Sequence, residues 1–358
     1  MLPRFHFVAR DLARSWADIA TLQESDIDRY PERFRGGVNN WIVQSYLHLR
    51  EALARQGHES SIGETWCDDA VNIAHRDSLS RMSAAYARHR IVGIRADRPP
   101  VRVAQWEIVQ NRLAATGAHR RYVPLWPQPG LTRRAPSRGA TIRRIGYFGR
   151  LSACPSWLFD PAFGRELRAI GVDLHLGDRA WHDYAQVDLA LSCRIESQVM
   201  LRQKPASKLV NAWLAGVPLL AMPEPAFEAL RFSALDYVSI TGPDDVIAAI
   251  VELRARPARY HAMVANGAHR AREFSVAATR ARWLDFLLGE VLPQSVNGMQ
   301  GQAGAALARL LCQKCEGRWF KLRAGMEVRL LRTASRARDA RYARRAGAPE
   351  RPGYAVEA

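Results

Sequence analysis

Lysine is nearly absent. Of 52 basic residues only four are Lys (Lys204, Lys208, Lys314 and Lys321), and the rest are Arg. The first 300 residues hold just two of the four, Lys204 and Lys208, one helical turn apart, which marks that stretch for scrutiny. Cysteine is scarce as well. Five residues, an odd and scattered set, exclude a disulfide framework and fit a reducing compartment. Cys312-x-x-Cys315 is half of a zinc motif with no second Cys/His pair near it, so no metal is expected. No apolar run approaches the roughly 18 residues that span a bilayer, and the longest, 211–222, is broken by Gly216 and Pro218. The first residues carry Arg4, Arg10 and Asp11 without an apolar stretch, so no secretory leader is expected. No Gly-x-Gly-x-x-Gly follows a strand pattern, which argues against a dinucleotide dehydrogenase.

What is present is ordinary globular material with an excess of positive charge. A chain of 358 residues, 48% hydrophobic, is enough for about two domain cores. The net charge of +17 points to anionic partners: phosphorylated small molecules, acidic lipid or nucleic acid. The last 58 residues hold 13 Lys/Arg against five acids, close to half of that excess.

Strand and helix patterns alternate along the chain. Residues 4–10 read as a strand. Gly36-Gly37 opens a helix over about 41–55, and 59–63 reads as a weak strand. Residues 90–94 and 101–109 are further strands. Four prolines and two glycines fall within 122–139, which is expected to be the interdomain linker. The rhythm then restarts. Strands are expected at 143–148, 172–176, 187–192, 217–221 and 238–240, with helices at 161–170, 207–215, 243–254 and on to about 292. This is an α/β pattern with parallel sheets. The expected organisation is an N-terminal domain over 1–121, the linker over 122–139, a C-terminal domain over 140–295 and a basic amphipathic, partly disordered tail over 296–358.

The densest cluster of chemistry is 203–218, Gln-Lys-Pro-Ala-Ser-Lys-Leu-Val-Asn-Ala-Trp-Leu-Ala-Gly-Val-Pro. Pro205 and Ser207 mark a helix start, where free N–H groups attract anions. Asn211 falls on the same face one turn on. The spacing suits either a nucleoside diphosphate or a plain capped helix with solvent-facing lysines. Gly149-Arg150 closes a strand. Gly36-Gly37 with Asn39 and Asn40 stands at another helix start, where Asn is equally a good cap. Asp97 is either a general base at a strand end or a turn cap before Pro99-Pro100, and His75 is a second candidate base. Glu107 reads as an ion-pair residue. Glu224 lies in a loop after a parallel strand, where ligands bind. Trp181, His182 and Tyr184 either stack on a base or pack.

The segment Lys208-Leu209-Val210-Asn211-Ala212-Trp213-Leu214-Ala215-Gly216-Val217-Pro218 resembles the donor-site pattern K-L-x-E-A-x-A-x-G-x-P of GT-B glycosyltransferases. Gly149-Arg150 resembles the G-R that ends the first strand of that family's C-terminal domain, and Gly36-Gly37 followed by Gly57-His58 resembles its N-terminal glycine turn and strand entry. The resemblance implies two Rossmann-like domains facing across a cleft. It implies a nucleotide-diphosphate sugar donor with its diphosphate at Arg150 and the helix start and its ribose at Asn211; with these, Gln203, Lys204, Ser207, Lys208 and Glu224 make the expected donor site, and Gly36, Gly37, Asn39 and Asn40 an expected acceptor or phosphate loop. Asn211 and Gln203 are amides where many retaining members carry glutamates, which leaves the stereochemistry open.

A glycosyltransferase acting without metal or other cofactor is therefore expected, passing sugar to an envelope glycan or a lipid-linked acceptor. A nucleotide-sugar epimerase and a non-catalytic scaffold of the same fold are the alternatives. The basic segment 305–346, with Leu310, Leu311, Trp319, Phe320, Leu322, Val328, Leu330 and Leu331 among its arginines, reads as a solvated helix, a disordered end or an interfacial helix on anionic lipid. The expected location is cytoplasmic, with peripheral contact at the inner membrane face. Nucleic acid is not an expected partner, because no recognised module accompanies the charge.

Overall fold

Two parallel sheets, one in each half, organise the chain. The computed structural model describes residues 4–79, 86, 88–177, 180–296 and 303–345, with side chains left aside for 296, 303–306 and 336–345. Residues 297–302 and those beyond 345 lie outside the described residues. The first sheet contains β1 (Arg4–Val8), β2 (Ser60–Gly63), β3 (Ala70–His75), β4 (Arg90–Ile94), β5 (Trp106–Val109) and β6 (Arg120–Tyr122) in the order β2-β1-β3-β4-β5-β6. The second contains β7 (Arg144–Phe148), β8 (Asp173–Gly177), β9 (Leu189–Ser192), β10 (Leu219–Ala221) and β11 (Val238–Ser239) in the order β11-β10-β9-β7-β8. Every neighbouring pair is parallel. This is the α/β architecture of two Rossmann-like domains that the sequence leads one to expect.

The two sheets repeat one doubly wound plan. Each begins in its middle, adds one strand on one side and then builds outward on the other. The direction of growth reverses between β1 and β3 in the first sheet and between β7 and β9 in the second. The crevice outside the carboxyl ends of the strands at such a reversal is where open α/β sheets bind ligands.

Strand β3 has no counterpart in the sequence reading. Its residues Ala-Val-Asn-Ile-Ala-His are buried at all six positions, so no apolar–polar alternation betrays it. The expected strand 101–109 shortens to Trp106–Val109, because Val101 and Val103 pack into a side core with Leu79 and Ile91 instead.

The linker divides into two anchored parts. Trp126 Nε1 donates to Ser45 Oγ at 2.9 Å, which fixes that part to the first domain. Asp188, fully buried, fixes the other end to the second. It accepts from Arg134 at 2.8 Å, Arg138 at 2.6 Å and the backbone N–H groups of Arg143 and Arg144 at 2.8 and 2.9 Å. Burial opposes its charge, but the bonds from Arg138, the two amides and Arg134 outweigh burial and hold the carboxyl below the usual range. Thr132 already belongs to the second domain, donating its N–H to His182 O at 2.8 Å. The crossing span is therefore Pro127 to Leu131, and Gly130 N within it donates to Asp28 Oδ1 of the first domain at 2.8 Å. Gly130 has φ +66°, and a Cβ there would meet Pro31 Cγ at 2.9 Å.

The chain then crosses back. Trp283, Phe286, Leu287 and Val291 lie in the core of the first domain, and Trp283 stacks on Trp126 with rings 6.4 Å apart and 4° from parallel. The stretch 276–295 is thus not part of the second domain's core as its position in the 140–295 span suggested. Helical periodicity shows that a face is apolar, not which sheet it covers.

Residues 303–345 of the expected tail form one helix, packed on the domains along one face and exposed along the other. Leu310 is buried with Val8, Ala74 and Leu79. Gln313 accepts from Arg102 N at 2.8 Å and donates to Leu79 O at 2.7 Å, and Glu316 pairs with Arg102 at 2.6 Å. Farther along, Glu327 accepts from Val199 N of the second domain at 3.3 Å. One helix therefore touches both domains. Among the described residues, no helix is long and apolar enough to cross a membrane.

Candidate active site at the facing sheet ends

At the reversal point of the second sheet, three strand ends and one helix start converge. Lys208, in the first turn of the helix Ser207–Ala215, lays its Nζ 4.0 Å from the centroid of the Tyr147 ring on β7. Gly149 follows β7 with φ +151°, and a Cβ there would lie 3.1 Å from Lys208 Nζ, so glycine makes room for the lysine. Burial, reinforced by the positive charge of Arg194, pushes the Lys208 amine down to about 7. Arg194 follows β9 and pairs at 2.8 Å with Glu224, which follows β10 and is 2% exposed. Neither oxygen of Glu224 makes an aligned hydrogen bond. Arg150 is exposed beside Gly149 and forms no ion pair among the described residues. Lys208, Arg194 and Glu224 thus gather beside a helix whose first N–H groups have no intrahelical partner, with exposed Arg150 following Gly149 in the chain.

Ser207 and Asn211 share a face, as their spacing requires, and line a narrow crevice with Gln110, Tyr122 and Trp126 of the first domain. Its free space is about 10 Å³, about one water, so the domains are closed on each other here. Burial pushes the Tyr122 hydroxyl in this crevice up to about 12. Gln203 donates to Val199 O at 3.4 Å and its buried Oε1 has no partner.

At the reversal point of the first sheet, His75 ends β3 beneath the glycine turn. The ideal Cβ of Gly37 lies 3.3 Å from His75 Cε1, so a side chain at 37 presses on the ring. Asp77 N–H donates to His75 Nδ1 at 3.2 Å, which places the ring proton on Nε2, and Nε2 is buried without a partner. Burial pushes His75 down to about 4, against the pull of Asp77. His75 is therefore a neutral donor through Nε2, a different role from the base suggested by residue type. Gly36 has φ +92° and accepts from Asn40 N at 3.0 Å. Asn39 accepts from Trp16 Nε1 at 3.1 Å, so its side-chain oxygen is engaged in structure. The helix there begins with a π-turn over Asn39–Val43, a distortion often found at functional sites.

The two points are joined by charge. Asp97, after β4, receives Arg98 Nη1 at 2.7 Å, and Arg98 Nε binds Asp77 at 3.0 Å. Across the cleft Lys204 Nζ lies 3.7 Å from both Asp97 and Glu196. Lys204 is thus an interdomain bridge, and Asp97 is held between two cations. Glu107 is structural as expected, bonded to Val101 N at 2.7 Å and Arg120 at 2.7 Å. Tyr184 packs on Phe148 in the core.

Sequence reasoning did not find Arg194, Asp77, Arg98 or Glu196. The first and last lie just past the strand ending in Ser192, and the same strand-end rule that selected Glu224 selects them once the order of strands is known. Beside Lys204, a groove of about 450 Å³ runs between Met200 and the helix Ala303–Arg345, with Phe320 and Val328 on its floor and Lys321 and Arg329 on its rim. Among the described residues no three His, Cys, Asp or Glu side chains are placed to hold a metal ion.

No known family profile matches the chain, and no curated protein does. Solved structures do resemble it. HepE from Anabaena in complex with UDP and glucose is 12% identical, covers 81% of this chain and 100% of its own, and has a TM-score of 0.47. AviGT4, a glycosyltransferase involved in avilamycin A biosynthesis, is 15% identical over 82% of this chain and 98% of its own, with a TM-score of 0.46. Sucrose-phosphate synthase from Thermosynechococcus elongatus is 12% identical over 73% of this chain and 94% of its own, with a TM-score of 0.49. At that distance the activity has to be read from this chain's own residues.

Proposed function

We propose that the protein is a glycosyltransferase of GT-B type, taking a nucleotide-diphosphate sugar at the second sheet and an acceptor at the first. The observation that carries this reading is the cation cluster at the β7/β9 reversal, Lys208 with Arg194 and Arg150, at the mouth of a helix. A diphosphate placed there faces free N–H groups and three cations. Lys208, half-charged near neutrality, becomes fully charged as the anion arrives. Charge that builds on the leaving diphosphate is then stabilised by groups already oriented, without a resident metal. Asn211 and Ser207 are assigned to the ribose and Glu224 to the sugar. Their crevice admits a ligand when the domains part at Pro127–Leu131, and reclosure excludes water.

On the acceptor side, His75 offers an Nε2–H toward the glycine turn, while Asp97 is the carboxylate that meets Lys204 of the second domain. An acceptor hydroxyl that displaces Lys204 from Asp97 gains that carboxylate as its base. The acceptor is assigned as a glycan or lipid-linked one, used at the inner face of a membrane. The apolar floor and basic rim of the groove beside Lys204 suit a molecule with both an apolar and an anionic part.

The test is calorimetric titration with nucleoside diphosphates and their sugar conjugates, UDP first because HepE was solved with it. One nucleotide is expected to bind, with affinity lost in Lys208→Ala and Arg194→Ala. Binding unchanged in both variants refutes the site, and absence of binding by every nucleotide favours a scaffold.

A further inference from the structure

We infer that the outward face of the helix Ala303–Arg345 is a docking surface for an anionic lipid bilayer. The structure divides the apolar residues of this helix between two faces. Leu310 is buried, and Phe320 and Val328 turn toward the domains and the groove. Leu311, Trp319, Leu322, Met326 and Leu330 turn outward, with exposures from 50% at Leu311 to 71% at Leu330. With exposed Cys315 they recur at steps of four, four, three, four and four residues. At about 100° per residue, they fall within an arc of roughly 100° and a length of about 28 Å.

Charge selects the occupant. Lys314, Arg318, Lys321, Arg329 and Arg332 are all exposed along one border of the stripe, and none forms an ion pair among the described residues. The two acids of residues 307–335 are engaged on the other side of the helix, Glu316 with Arg102 and Glu327 with Arg323 and Val199 N. An apolar stripe bordered by unpaired cations, with Trp at mid-length, matches the boundary between acyl chains and anionic headgroups. A second copy of the chain brings the same five cations against these, and a nucleic acid leaves the Leu and Met side chains in water. The inference goes beyond sugar transfer and does not depend on it.

The test is sedimentation of the full-length protein with vesicles of equal parts phosphatidylglycerol and phosphatidylcholine, and with phosphatidylcholine vesicles alone. Binding to the anionic vesicles is expected to be at least about tenfold the stronger. The variant carrying Leu322→Glu, Met326→Glu and Leu330→Glu is expected to lose it, with thermal midpoint and nucleotide binding unchanged. A second variant, Lys314→Gln with Lys321→Gln, keeps the stripe and is expected to weaken binding to anionic vesicles alone. Equal binding to both vesicle types, or retention by the triple variant, overturns the inference. So does a dimer in vesicle-free solution that the triple variant dissociates, because a second copy is then the occupant. A protein that binds no nucleotide yet sediments with anionic vesicles refutes the glycosyltransferase reading and leaves this one standing.

Discussion

The two sheets share a strand order but differ in what hangs from their reversal points. At the second, Arg194 pairs with Glu224, while Lys208 on the Tyr147 ring and exposed Arg150 form no ion pair among the described residues. At the first, Arg98 is matched by Asp77 and Asp97, and His75 is neutral. The same topology carries unpaired positive charge beside β7 and a network of paired charges beside β3. That asymmetry suits the proposed transfer from a charged donor to an acceptor hydroxyl, and topology alone does not supply it.

The largest way to break the comparison is to unfasten the second sheet from its linker. Asp188→Ala leaves Arg134 and Arg138 partly buried without their counter-charge, and about 3–5 kcal/mol of stability should be lost in denaturant titration. Next is the donor cluster. Lys208→Met should weaken nucleoside diphosphate binding by about 100-fold, while the melting temperature holds, because Lys208 forms no ion pair among the described residues and its loss strands no counter-charge.

Each sheet also has a titration of its own, on opposite sides of neutrality. Folded His75 is held to about 4, whereas the unfolded chain protonates it near 6.5. The unfolded state binds more protons between those values, so stability should fall as pH is lowered through that window, and His75→Asn should flatten this part of a melting-temperature profile. Lys208 loses its charge as pH rises through about 7, so diphosphate affinity measured by calorimetry should weaken above that pH, and Lys208→Arg should abolish the dependence. The smallest effect is expected at the bridge. Lys204→Met should cost about 1 kcal/mol or less, yet increase the radius of gyration in small-angle scattering as the domains part.

Much of the second domain was legible in the sequence. The helix Ser207–Ala215 is announced by Pro205 and ended by Gly216, and its strands carry clean apolar runs. The first domain was less so. Strand β3 is buried on both faces and gives no alternation, so His75 was visible as a residue type but not as a group at a strand end. Its tautomer depends on an amide two residues on, Asp77 N–H, which no periodicity encodes. Pairings across the cleft, such as Asp97 with Lys204, join residues about a hundred positions apart and follow only from the order of the strands. The two apolar faces of the C-terminal helix were merged for the same reason, since spacing does not say which face is covered.

The return of the chain to its first domain has a consequence for how the protein is made. All six strands of the first sheet have been synthesised by Tyr122, but their covering is not complete. Trp283, Phe286 and Val291 arrive some 160 residues later, and Leu310 later still. A nascent chain emerging from the ribosome must therefore carry an unfinished first domain while it builds the second. An expression fragment ending near residue 122 would expose the same apolar face, and at usual concentrations aggregation of such a fragment is the expected outcome.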